Sequence, residues 1–155
     1  MERTQSSDYA LFLLRAAGLL LAFGHGWAKF YALITGQADW LVGMVSGLGF
    51  PLPVVFAWTL GLTEFVAGIC VALGLYARLS ASFAVFAMFT AAFLRHRSLM
   101  HLGAWLGIAS PTAEELQASG DPERALLFLI IMASIVVLGP GNLSLDARLS
   151  RRRRR

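Results

Sequence analysis

Four ionisable side chains stand in stretches that are otherwise apolar: Arg15, His25 and Lys29 within residues 10–33, and Glu64 within residues 54–76. A carboxylate at mid-membrane depth is costly unless it is paired, neutralised or turned to a polar cavity. Glu64 is therefore expected to face inward, toward His25, Arg15 or both. Such a pair has two uses. It can fix helix register, or it can relay protons and hold a ligand, with Glu64 and His25 as the catalytic candidates. Gly24 and Gly26 leave room around the His25 ring for another helix or a ligand. Lys29, the only lysine, is expected to snorkel to the outer headgroups.

Arg95, His96, Arg97 and His101 form a second cluster. It reads as interfacial anchoring or, with Lys29, as a mouth that attracts anions, which makes Arg15, His25, Lys29, Glu64, Arg95 and Arg97 the ligand-binding candidates. Histidines five apart do not share a helical face and no acid or cysteine completes a ligand set beside them, so no metal site is expected. Haem is not expected either, because His25 has no second mid-span histidine as axial partner. Cys70 stands alone, without a disulfide, a CxxC pair or a thiolate cage, so redox chemistry must be borrowed from a partner. Phosphate-loop, nucleophile-elbow and zinc-hydrolase motifs are missing from the sequence.

These residues are carried by a chain of 155 residues that is 57% hydrophobic and only 14% charged, against about 25% charge in a typical soluble domain. The composition is that of a membrane protein, and the length admits about four spans of roughly 20 residues each. An all-α fold is expected: a four-helix transmembrane bundle with short interfacial helices in the two outer loops, one membrane domain over residues 1–150 followed by an arginine-rich tail at 151–155.

The spans are placed at about 10–33, 54–76, 79–94 and 122–138. Pro53 suits a helix first turn and Gly74 with Arg78 marks that helix's end. Residues 36–53, rich in Gly and Pro yet apolar, predict a short helix at the interface. Thr112 with Glu115 is a capping box for a short polar helix, Asp121 and Pro122 open the fourth span, and Gly139-Pro140-Gly141 stops it. The third span is the weakest by length. Glu2, Asp8 and Arg15 make the first span a poor signal peptide.

Four spans return both termini to one side. Eight basic residues flank that side (Arg3, Arg78, Arg148 and Arg151 to Arg155), against Arg95, Arg97 and Arg124 on the other, so both termini are expected in the cytoplasm of an inner-membrane protein. The formal charge of +4 rests on the terminal arginines, which suit an anionic leaflet rather than nucleic acid. On the first helix Arg15, Gly18, Ala22, His25, Gly26 and Lys29 share a sector; on the second, Ala57, Gly61, Glu64, Gly68 and Ala72 do. The simplest docking sets these stripes together. Counting antiparallel depths puts Glu64 at roughly 18 Å from the cytoplasmic end, between Arg15 at roughly 9 Å and His25 at roughly 24 Å.

Three blocks together resemble the DoxX family of small four-helix membrane proteins. They run from Leu14-Arg15-Ala16-Ala17-Gly18 to His25-Gly26-Trp27-Ala28-Lys29-Phe30, from Glu64-Phe65-Val66-Ala67-Gly68 to Leu73-Gly74-Leu75-Tyr76-Ala77-Arg78, and from Glu123-Arg124-Ala125-Leu126 to Gly139-Pro140-Gly141-Asn142-Leu143-Ser144-Leu145-Asp146. The resemblance covers residues 11–149; the long 95–120 loop and the arginine tail depart from it. It implies four inner-membrane helices and a link to quinol oxidase, to thiosulfate:quinone oxidoreductase or to oxidative and thiol stress. The residues it carries over are Arg15, His25, Gly26, Lys29, Glu64, Gly68, Gly74 and Arg78.

Two functions follow as expectations. One is an accessory subunit that docks a protein partner or a second copy of itself. The other is a component of a quinone-linked oxidoreductase, in which Glu64 and His25 exchange protons with a quinone while Lys29, Arg95 and Arg97 attract an oxyanion such as thiosulfate. No cofactor is evident in the sequence itself, and a quinone is the one the arrangement admits. A small transporter is a third reading, limited by the number of spans.

Overall fold

The computed structural model describes residues 5–153; Glu2, Arg3, Arg154 and Arg155, which entered the charge and signal-peptide arguments, lie outside the described residues. Eight helices and no strand occur among the described residues. They are α1 (Gln5–Ile34), α2 (Asp39–Gly47), α3 (Pro53–Leu73), α4 (Ala77–Arg95), α5 (Ser98–Trp105), α6 (Ala113–Ser119), α7 (Glu123–Leu138) and α8 (Leu145–Arg153). The all-α expectation holds, and the boundaries follow from local chemistry. Pro53 opens α3, Gly74 (φ +68°) closes it, and the Thr112–Glu115 capping box opens α6 with both reciprocal bonds made. The Asp121 carboxylate accepts from the Glu123 N–H at 2.9 Å, and α7 stops at Gly139 (φ +77°).

α1, α3 and α4 are long and apolar enough to cross a membrane. The fourth helix, α7, has 16 residues and so a length of roughly 24 Å, short of a bilayer core of about 30 Å. It therefore closes the bundle without meeting the length of a span, and it takes the place of the third as the shortest of the four. α1 packs on α3, α3 on α4, and α4 on α7, which also touches α1. The outer residues of these helices, among them Leu13, Phe23, Val55, Leu79, Phe83, Ile130 and Val137, are exposed as an apolar belt. A belt of that extent suits lipid, not water.

The core has two parts. Ala81, Ala84 and Met88 of α4 meet Met132 and Ile135 of α7 and Leu21 of α1, while Leu41 and Val45 seat α2 against Ala57 of α3. Between α1 and α3 the two small-residue stripes dock as the periodicity requires. A Cβ on Gly18 would run into the Gly68 carbonyl, and one on Gly26 would lie 2.5 Å from the Phe65 backbone nitrogen. Backbones this close tolerate only glycine.

The two ends of the described chain meet at one end of the bundle. Asp8 of α1 accepts from Asn142 N–H (2.8 Å) and Asn142 Nδ2 (3.0 Å), and Asp146 caps α4 by accepting from Tyr76 N–H (2.8 Å) and Ala77 N–H (2.9 Å). α2, α5 and α6 gather at the opposite end, called the loop end below.

Candidate functional site

Each of the three long helices contains a π turn, at Ala22–Gly26, Thr63–Ala67 and Thr90–Arg95. π turns inside α-helices are uncommon and concentrate at functional sites. The first two face each other across the Gly26 contact; the third borders the same space. Because a π turn closes on the fifth residue rather than the fourth, it delays the rotation of everything after it. Gly18, Ala22 and Gly26, four apart, thus stay on α3 without drifting.

That delay changes the pairing expected of Glu64, which binds neither Arg15 nor His25. Its Oε2 accepts from Lys29 Nζ in the one ion pair found among the described residues. Gly26 lies level with Glu64, so Lys29, nearly one turn further on, reaches back along its four-carbon stem. It is turned inward on Glu64 rather than outward to headgroups. His25 is rotated off the stripe and lies edge-on to Phe128 of α7, ring centroids 5.7 Å apart.

Arg15 belongs to the other end. The depth count took the ends of the two helices as flush, but α1 starts at Gln5 and runs past the end of α3, so that the Arg15 guanidinium lies beside Gly74. Its side chain is 1% exposed, with Nη2 donating to the Leu143 carbonyl (2.6 Å) and Nη1 to that of Ala72 (3.4 Å).

Glu64 is 3% exposed and Lys29 17%, and the pair forms the wall between two cavities. One, of about 250 Å³, is apolar along Val45, Leu48, Phe50, Phe56, Leu60 and Phe86, with Lys29, Glu64, Arg95 and His96 at its polar end. The other, of about 390 Å³, is lined by His25, Lys29, Glu64, His96, Asp121 and Arg124 with Phe128. Lys29, Glu64, Ala91 and His96 border both. An apolar pocket with a few convergent polar groups is the usual form of a small-molecule site.

The outer cluster divides. Arg95 donates to the carbonyls of Ala118 (3.2 Å) and Ser119 (3.3 Å), His96 Nδ1 contacts the Ser119 carbonyl (2.7 Å), and His101 Nε2 meets the Ser119 hydroxyl (2.8 Å). Although five apart, His96 and His101 reach one serine because Arg97, at φ +47°, breaks the helix between them. Arg97 itself borders neither cavity; it lines a separate notch with Glu114 and Glu115. Hydrogen bonds from Thr112, first its backbone N–H and then its hydroxyl, hold the Glu115 carboxyl below its usual range.

Of the six expected ligand residues, His25, Lys29, Glu64 and Arg95 border the paired cavities, and Arg15 and Arg97 do not. His96 entered the sequence argument only as part of a charge cluster, Asp121 as a cap and Arg124 as a loop charge. The spacing of Arg124 and Phe128, four apart on one face of α7, was the available signal.

The fold and site define a multi-pass helical membrane protein with a buried ion pair dividing an apolar cavity from a polar one. The chain belongs to the DoxX family, whose sequence model matches residues 10–97, from α1 through α4 to Arg97. The third block of the resemblance, in α7 and beyond, lies outside that match. No curated protein and no solved structure matches the chain.

Proposed function

We propose that this chain is a subunit of a redox-linked membrane complex and that it holds the head of a quinone at the Lys29–Glu64 pair. The observation that carries the reading is the position of that pair, at the polar end of an apolar cavity and in the wall of a polar one. A quinone head is flat and apolar with two oxygens at its edges, and a cavity of about 250 Å³ ending in an ammonium, a carboxylate and an imidazole suits that chemistry. A bound quinone would supply two-electron, two-proton chemistry. Lys29 Nζ would donate to one oxygen, which frees Glu64 Oε2 to accept a proton. The single thiol, Cys70, cannot form a dithiol within the chain, so electrons come from or go to a partner.

The test is purification in mild detergent, extraction of bound quinone, and titration with decylubiquinone. Wild type is expected to retain or bind quinone. Glu64→Gln should lose it at nearly unchanged melting temperature, because an amide keeps hydrogen bonds but not proton transfer. Absence of any quinone binding by wild type would sink the reading.

The accessory, partner-docking reading has its own support in the exposed apolar face of α5 and the turn after it, where Leu99, Leu102, Trp105 and Ile108 are uncovered. Both roles are compatible in one subunit. Both chain ends are proposed to lie in the cytoplasm of an inner-membrane protein, because Arg78, Arg148 and Arg151 to Arg153 gather at their end of the bundle. An impermeant thiol reagent on intact cells should label a cysteine at Ser110 but not at Ser150, in a Cys70→Ser background.

A further inference from the structure

We propose that His96 is a second proton-exchanging residue of this site beside Glu64, its Nε2 accepting from a quinol hydroxyl or donating to a quinone carbonyl where the two cavities meet. The proposal rests on the quinone reading above and names the group that would serve it.

Ser119 is 4% exposed. Its hydroxyl donates to the Leu116 carbonyl (2.9 Å), so its oxygen must accept from His101 Nε2. Its carbonyl oxygen can only accept, and the 2.7 Å contact to His96 Nδ1 therefore requires a proton on Nδ1. With Nδ1 committed, the neutral His96 ring carries its lone pair on Nε2.

The ring borders both cavities and is anchored through Ser119, a residue that Arg95 also grips. The residue after Ser119 is Gly120, and a Cβ there would come within 3.4 Å of Nδ1. Glu64 can take a proton only once Lys29 has left it for the ligand, and His25, edge-on to Phe128, borders the polar cavity alone, whereas His96 borders both.

In the exchange, the quinol O–H bond breaks, its electron pair stays on oxygen, and the proton bonds to Nε2. The imidazolium then releases it through the polar cavity toward Gly120 and Asp121, at the loop end. The charged and titratable groups facing this step are Lys29 from α1, Glu64 from α3, Arg95 from α4, and Asp121 and Arg124 around the start of α7, with His25 across the polar cavity.

Full-length protein in nanodiscs is titrated anaerobically with decylubiquinone and with its quinol, between about pH 5.5 and 8, where imidazole ordinarily titrates. A protonated ring favours the quinone carbonyl and a neutral one the quinol hydroxyl. In wild type the quinone-to-quinol affinity ratio should therefore rise at least about fivefold as pH falls.

His96→Asn retains an amide N–H for the Ser119 carbonyl and lacks the second nitrogen, so it should bind with a flat ratio. His96→Gln offers an amide near the Nε2 position and should also be flat. Gly24→Ala, whose Cβ would have nothing within 4 Å, should keep the wild-type slope. A flat wild-type ratio with intact binding, or a slope that survives in His96→Asn, overturns the role of His96 and leaves the quinone site standing. If wild type binds neither form, the site and the role fall together.

Discussion

The two ends of the bundle handle buried charge in opposite ways. Where the chain ends meet, each charge is bound to backbone groups distant in sequence: Arg15 to Leu143 and Ala72, Asp8 to Asn142, Asp146 to Tyr76 and Ala77. Toward the loop end, Lys29 and Glu64 satisfy each other and face open space on two sides. A charge tied to backbone carbonyls and amides cannot exchange partners without local unfolding, so it serves as a fastener. A pair beside cavities can open to a ligand at the cost of one contact. Burial alone, comparable for Arg15 and Glu64, does not separate these roles; what surrounds the charge does.

The largest expected effect tests the fastened end. Arg15→Ala leaves the Leu143 and Ala72 carbonyls unpaired beside a new void, and should cost about 3 kcal/mol in detergent unfolding while leaving quinone affinity unchanged. Arg15→Lys, which keeps the charge without the planar fork, should fall between. Wild-type stability in Arg15→Ala would erase the distinction between the ends. Next in size is Gly26→Ala. Its Cβ would meet the Phe65 nitrogen at 2.5 Å and must push α1 from α3 beside the ion pair, costing roughly 2 kcal/mol and weakening binding too. Gly24→Ala has nothing within 4 Å of its Cβ and is the control expected to change neither.

The reading of helices from sequence succeeded where local chemistry decides: Pro53, Gly74, the Thr112–Glu115 box and Gly139 each mark a boundary by their own conformational limits. The glycine stripes also placed α1 against α3, because a strict spacing of small residues encodes close approach. What was not legible was rotation. A π turn leaves no mark in residue type, and the one at Ala22–Gly26 turned His25 to Phe128 and brought Lys29 to Glu64. The contribution of His96 was hidden for a different reason. It depends on Ser119, a residue 23 positions away, reached only after two helices fold back.

The third effect sharpens the open end. Glu64→Ala would cost 3 to 5 kcal/mol by the general rule of about that size for a stranded buried charge, but Lys29 borders two cavities and can rehydrate. The expected loss is about 1 to 2 kcal/mol, smaller than for Arg15→Ala. Replacing both members, Lys29→Met with Glu64→Met, should restore stability to within about 1 kcal/mol of wild type and still abolish quinone retention. If the double variant keeps quinone, the pair is only another fastener. If it is far less stable than either single variant, the two ends obey the same rule after all.

The smallest effect is a pH dependence in α6, the helix that presents Ser119 to His96. The Glu115 carboxyl is held below its usual range by hydrogen bonds from Thr112, so its charged form is favoured in the folded helix. A depressed folded value means that the cap's contribution is complete above the unfolded carboxylate range and lost as pH falls through the lower, folded one. Protection of the Glu115 and Leu116 amides, measured against the unstructured exchange rate at each pH, should therefore be constant around neutral pH and fall only in acid. Glu115→Gln, which preserves an oxygen acceptor for the Thr112 N–H, should remove the acid dependence and leave neutral protection nearly intact. Protection that stays unchanged into the acid range in wild type would take the cap out of the anchorage of α6 and leave Ser119 held by Arg95, His96 and His101 alone.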